Sequence, residues 1–149
     1  MVKIELREFK LLDYFKFLFL TLNKNYKREL HENTWGYLSK QIISFLKGEK
    51  VYKFVILVNQ KFAGSVALYK RYNYYEVGCF ILKNFRKKGI ATKATKQIMD
   101  FAFNSLNLKK ILAVTSIKNK VSQRILKKLK FKKIRINKKD KELIWERLI

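Results

Sequence analysis

Apolar and polar residues alternate through residues 2–7, which predicts a first strand. Residues 11–23 have an apolar face too broad for a solvent-exposed helix and predict a buried one, capped near Lys10 or Asp13. Residues 30–33 are polar and turn-like. Thr34 can cap a second helix running to residue 46, with Gly48 just past its end. Residues 52–58 and 61–69 are β-branched and aromatic runs joined by Asn59-Gln60, the spacing of a two-residue hairpin. After a turn at 71–73, residues 74–82 read as a fourth strand. Apolar positions 91, 94, 98, 101, 102 and 106 then set a helical period over 90–106. A strand at 110–115 follows, then a short helix at 118–129 with Val121, Ile125 and Leu129 stacked. Residues 131–136 and 142–148 close the chain as an antiparallel pair.

The order is βααβββαβαββ. A helical crossover makes strands four and five parallel, whereas hairpins make the neighbouring pairs antiparallel. The prediction is one α/β domain over residues 1–149 with a mixed, mostly antiparallel sheet. Its apolar content of 48% supplies a core, and no linker, repeat or low-complexity block divides it. The single cysteine, Cys79, excludes an internal disulfide and fits the reducing cytoplasm. The most apolar stretch, 11–22, carries Asp13 and Lys16 and falls short of the ~20 residues of a membrane span. A soluble cytoplasmic protein with no membrane partner is expected. His31 stands alone, so no metal site is predicted; Cys79, Trp35 and Trp145 read as packing residues, with Trp35 also placed to line a groove.

Between the fourth strand and the third helix lies Phe85-Arg86-Lys87-Lys88-Gly89-Ile90-Ala91. The first amides of a helix have no intrahelical acceptor, and the peptide dipoles leave about half a positive charge there. Small residues at 89 and 91 leave room for an anion, and three cationic side chains add charge. A phosphate-binding loop fits these residues. It is neither a P-loop nor a dinucleotide fingerprint, because the five glycines, at 36, 48, 64, 78 and 89, have neither spacing.

The run Val77-Gly78-Cys79-Phe80-Ile81-Leu82 followed by Phe85 to Thr92 resembles the acetyl-CoA motif of the GNAT N-acetyltransferases, Gln/Arg-x-x-Gly-x-Gly/Ala. A second segment, Asn119-Lys120-Val121-Ser122 with Leu126-Lys127-Lys128-Leu129-Lys130-Phe131, is similar to the ending of the subgroup that acetylates ribosomal-protein N-termini. The element order is also that of the GNAT fold, and the resemblance implies that the parallel pair of strands four and five is splayed. The resemblance implies acetyl-CoA as cosubstrate and direct transfer of its acetyl group to an amine. It assigns the pantetheine arm to the backbone of Phe80, Ile81 and Leu82, and the pyrophosphate to Arg86, Lys87, Lys88, Gly89, Ile90, Ala91 and Thr92. It has Asn119 holding the pantetheine amide and Ser122 near the sulfur as proton donor. Leu126 occupies the place where many relatives carry an acidic tyrosine. Lys130 and Lys87 stand where glycine is usual.

Glu76 is the only acid between residues 50 and 99 and shares a strand face with Gly78, which makes it the candidate base. The alternative is a surface charge neutralising Lys70 or Arg71. In the same way, Asn119 can cap its helix and Ser122 can fill a tight contact.

The formal charge of +24 limits the acceptor. Residues 109–141 hold 14 Lys and Arg against the single acid Asp140. Two causes fit: a polyanionic partner such as RNA or the ribosome, or a chain-wide lysine bias, since 28 lysines stand against 7 arginines. Three functions follow from the resemblance and the charge. The first is acetylation of a protein N-terminus such as that of a ribosomal protein. The second is acetylation of a small amine, and the third is a non-catalytic module that binds RNA or the ribosome.

Overall fold

The structure, a computed structural model, describes residues 2–10, 12, 13, 15, 16, 19 and 51–149. Residues 12, 13, 15, 16 and 19 are helical, as predicted, but Leu12, Phe15 and Phe19 are exposed, so the expectation that this apolar face is buried does not hold for them. The second predicted helix, the turn before it, His31 and Trp35 lie outside the described residues.

A seven-stranded sheet organises these residues. Its strands are β1 (Ile4–Glu8), β2 (Val51–Val58), β3 (Lys61–Lys70), β4 (Tyr75–Ile81), β5 (Lys110–Ser116), β6 (Lys132–Asn137) and β7 (Glu142–Leu148). They lie in the order β1-β2-β3-β4-β5-β7-β6, so β7 pairs with β5 and β6 forms the edge. Every neighbouring pair is antiparallel except β4 and β5. Asn59 and Gln60 both take left-handed φ, 48° and 62°, the geometry of a hairpin turn whose twist matches its strands.

Helix α1 (Ile90–Asn104) crosses from β4 to β5. Its buried stripe is Ile90, Ala94, Ile98 and Ala102, at successive i+4 steps, and it packs with Ile56, Val66, Leu68, Ile111 and Trp145 in one core. Full burial of a residue such as Ile98 contributes roughly 1.5–3 kcal/mol. Helix α2 (Lys120–Lys128) buries Leu126, while Val121, expected in its apolar stack, is 61% exposed. Trp145 packs as expected, with its indole N–H donating to the Thr115 hydroxyl at 2.9 Å. No helix among the described residues is long and apolar enough to cross a membrane.

A lysine occupies the middle of β2 on a covered face. The Lys53 ammonium lies 3.7 Å from the centre of the Phe9 ring. Burial lowers this amine to about 7, against the attraction of Asp13. For Asp13, burial would raise its carboxyl, but hydrogen bonds from the Arg7 guanidinium at 2.9 and 3.0 Å and from the Lys10 N–H at 2.8 Å hold it below the ordinary range. An unfolded lysine titrates near ~10.4, so between about pH 7 and that value the unfolded chain binds the extra proton. This contribution to stability is fully present above the unfolded value and is lost as pH falls towards 7. Lys53→Met therefore stabilises the protein by about 1–4 kcal/mol at pH 6.5, and the gain shrinks towards pH 10. Urea denaturation at the two pH values checks this; a pH-independent difference contradicts it.

Candidate active site

The parallel strands β4 and β5 meet at a single register pair, Glu76 with Leu112, and separate beyond it. On its other side β4 stays paired with β3 up to Ile81, opposite Gly64. The Leu82 N–H continues that ladder by donating to the Ala63 carbonyl at 2.9 Å. Ladder partners alternate along a strand. The main-chain groups of Phe80 and Leu82 therefore turn towards β3, and those of Val77, Cys79 and Ile81 towards the seam. Of the three residues expected to meet a pantetheine arm, Ile81 presents its main chain to the opening. Gly64 seats β3 against this strand, since a Cβ there would lie 2.0 Å from the Phe80 carbonyl oxygen. Its interior position in a strand-like run was the sequence signal for such a close approach.

Both strands send their chains out at the same end because they run parallel. After β4 come a 3₁₀ turn, Lys83–Phe85, and the basic loop; after β5 comes α2. The two segments of the resemblance, far apart in sequence, thus stand on opposite banks of one seam.

On the first bank, Gly89 caps α1 with φ 72° and no side-chain hydrogen bond. The first helical bond is made by the Lys93 N–H to the Gly89 carbonyl at 3.1 Å, so the amides of Ile90, Ala91 and Thr92 have no intrahelical acceptor. No acid lies in this first turn. A Cβ at Gly89 would meet nothing within 4 Å, so the left-handed backbone, not crowding within the protein, favours glycine there. Lys87 is also left-handed, at φ 59°, and Lys87 and Lys88 are exposed. Arg86 turns back: its Nε donates to the Ile81 carbonyl at 2.9 Å and clamps the loop to the end of β4. These open amides and surrounding cations fit a pyrophosphate.

On the second bank, the Asn119 side chain accepts from the Ser122 N–H at 3.0 Å and caps α2. Ser122 is half-buried. Lys130 takes the left-handed conformation, φ 62°, that its place after the helix implied.

Glu76 stands where the strands meet. Its Oε2 accepts from Arg71 Nε at 3.1 Å, and both side chains are about one-quarter exposed. The Arg71 guanidinium carbon lies 5.3 Å from the centre of the Tyr69 ring, opposite Glu76 in the register. Cys79 faces α1: burial pushes its thiol up to about 12 despite a hydrogen bond with Thr95, which makes it a packing residue and no thiolate nucleophile. Thr95, buried in α1, had no sequence signal of its own. Among the described residues, no three His, Cys, Asp or Glu side chains cluster as metal ligands.

A family model described as an acetyltransferase (GNAT) domain matches residues 3–132. The chain is 26% identical over 132 residues to the uncharacterised N-acetyltransferase YnaD of Bacillus subtilis (strain 168), covering 85% of this chain and 78% of that protein. Its fold is similar to Mycobacterium smegmatis RimJ in complex with CoA-disulfide, at TM-score 0.75 and 18% identity, over 97% of this chain and 81% of that one. It is also similar to a Salmonella typhimurium acetyl transferase that modifies the N-terminal serine of the 50S ribosomal subunit protein L7/L12. That match has TM-score 0.77 and 15% identity, over 100% and 96% of the two chains.

The loop backbone gives two substitutions of opposite sign. Gly89→Ala lowers stability by about 1 kcal/mol, because an L side chain resists that φ. Lys87→Gly raises it by about 0.5 kcal/mol, the relieved strain slightly exceeding glycine's added chain entropy. Urea midpoints read both; a loss in each would contradict the assigned geometry.

Proposed function

The chain belongs to the GNAT acetyltransferases and moves an acetyl group from acetyl-CoA to an amine, and we propose that its acceptor is the α-amino group of a protein N-terminus. The observation that carries the donor side is the seam beyond Glu76 and Leu112, flanked by the N-termini of α1 and α2. Acetyl-CoA brings an activated thioester. The seam-facing amides of Cys79 and Ile81 hold the pantetheine arm, with Phe80 and Leu82 shaping the strand around them. The amides of Ile90, Ala91 and Thr92, with Gly89, receive the pyrophosphate, while Arg86, Lys87 and Lys88 supply the surrounding positive charge. Asn119 binds the arm from the opposite bank. Glu76 takes the proton released as the amine nitrogen bonds to the acetyl carbon, and Ser122 gives one to the departing sulfur. Arg71 keeps the Glu76 carboxylate in place.

The acceptor assignment is supported by the likeness to RimJ and to the L7/L12 serine acetyltransferase. It is also supported by charge. Polyamines and aminoglycosides are cations that a +24 surface repels, whereas a ribosomal-protein N-terminus carried on RNA is drawn to it. The reaction then belongs to the cytoplasm, and contact with the ribosome or its RNA is made through basic residues within 109–141.

Saturation with acetyl-CoA at about 100 times Kd adds about 2.7 kcal/mol of stability. An acceptor screen that includes ribosomal-protein N-terminal peptides, read by thiol release, yields turnover on a peptide α-amine. Binding of acetyl-CoA with turnover only on small amines replaces the N-terminal reading, and RNA binding with no turnover favours the non-catalytic module. Glu76→Gln lowers kcat about 100-fold or more while acetyl-CoA still stabilises the protein; an unchanged kcat returns Glu76 to a surface ion pair.

A further inference from the structure

The end of the sheet opposite the basic loop of residues 86–89 carries a row of lysines. β4 and β5 begin there, β7 ends there and β6 begins there, as the register pairs Glu76–Leu112, Lys110–Leu148 and Lys132–Glu146 require. The turn between β3 and β4 and the start of β5 border an open hollow of about 350 Å³, lined by Lys70, Lys109, Lys110 and three tyrosines among others. Tyr72, at its mouth, is 100% exposed. From Lys70 to Lys132 the row of lysines crosses four strand spacings, about 20 Å. Glu146 lies within it, 3.6 Å from Lys110. All 14 Lys and Arg of residues 109–141 are exposed, and among the described residues Lys110 is the only one of them paired with a carboxylate.

We propose that this rim is a track for single-stranded RNA, with the lysines on successive phosphates and Tyr72 stacked on a base beside the hollow. Charge complementarity requires a polyanion. The bare tyrosine ring next to a hollow selects a nucleic acid strand over an acidic lipid surface, which offers no base to stack. The track gives a location to the RNA contact of the function proposed above, and its binding is read apart from turnover.

The test is fluorescence anisotropy of a labelled 12-nucleotide oligouridylate, titrated at several salt concentrations. Two variants each lose three charges: Lys70→Ala/Lys109→Ala/Lys132→Ala on the rim, and Lys120→Ala/Lys127→Ala/Lys128→Ala on α2. The rim variant weakens binding at least tenfold and lowers the magnitude of the log–log salt slope by about 2, while the α2 variant changes the slope by less than half as much. Tyr72→Ala weakens binding about tenfold and leaves the slope unchanged. The thermal shift with acetyl-CoA, retained in all three, shows that each is folded and that the donor site is intact. Equal losses from the two triple variants, or an unaffected Tyr72→Ala, overturn the track and leave a diffuse lysine excess. Binding to phosphatidylserine vesicles as strong as to RNA at the same salt overturns it in favour of a membrane surface.

Discussion

The parting of β4 from β5 is the constraint on which the rest of the structure depends. Main-chain donors and acceptors inside a sheet ordinarily find partners, and leaving them open is costly. Here the opening is held by its flanks: β3 pairs with β4 at seven positions, and β7 pairs with β5 at seven. Buried residues of α1 and of strands on both sides of the seam belong to a single core. The seam thus stays open while each of its walls remains a paired sheet. Parallel direction adds the second consequence, because both strands release their chains at the same end. The chain segments that lead into α1 and α2 therefore both leave the sheet at that end.

Fixed partial charges and mobile full charges have different work in this molecule. The lysines of the phosphate loop are exposed, so salt screens them over about 8–10 Å and their aim is loose. The amides of Ile90, Ala91 and Thr92 are held by the helix and need no reorganisation to meet an anion. Arg86 acts mainly on the loop itself, by fastening it to the Ile81 carbonyl. The abundant charge therefore sets attraction at long range, and the scarce, oriented groups set geometry. Glu76 belongs to the second kind, oriented by Arg71 and placed at the vertex of the seam.

Local chemistry made much of the fold legible. Asn59-Gln60 announced the β2–β3 hairpin, and both residues adopt the φ that such a turn needs. Periodicity announced α1, although the buried stripe begins at Ile90, one residue earlier than the pattern indicated. Where the pattern was ambiguous, packing decided. The nine-residue α2 has apolar side chains on more than one side; Leu126 is taken into the core with Phe131, leaving Val121 in solvent. Lys53 shares a strand face with Val51 and Val55, but the Phe9 ring it lies against and the Asp13 carboxylate that attracts it are some forty residues away. The joint from β4 through the basic loop into α1 was readable because strand, loop and helix are contiguous in sequence. The partnership of Glu76 with Arg71 was readable only as one alternative among several.

The sequence by itself determined the described strands and helices, their order and the parallel sense of β4 and β5, since each follows from short-range periodicity, capping and turn chemistry. Only the tertiary structure decided that β7 rather than β6 lies beside β5, and that Glu76 with Leu112 is the register pair at which β4 and β5 meet. Those outcomes depend on which surfaces bury one another over long sequence separations. No local pattern encodes that competition.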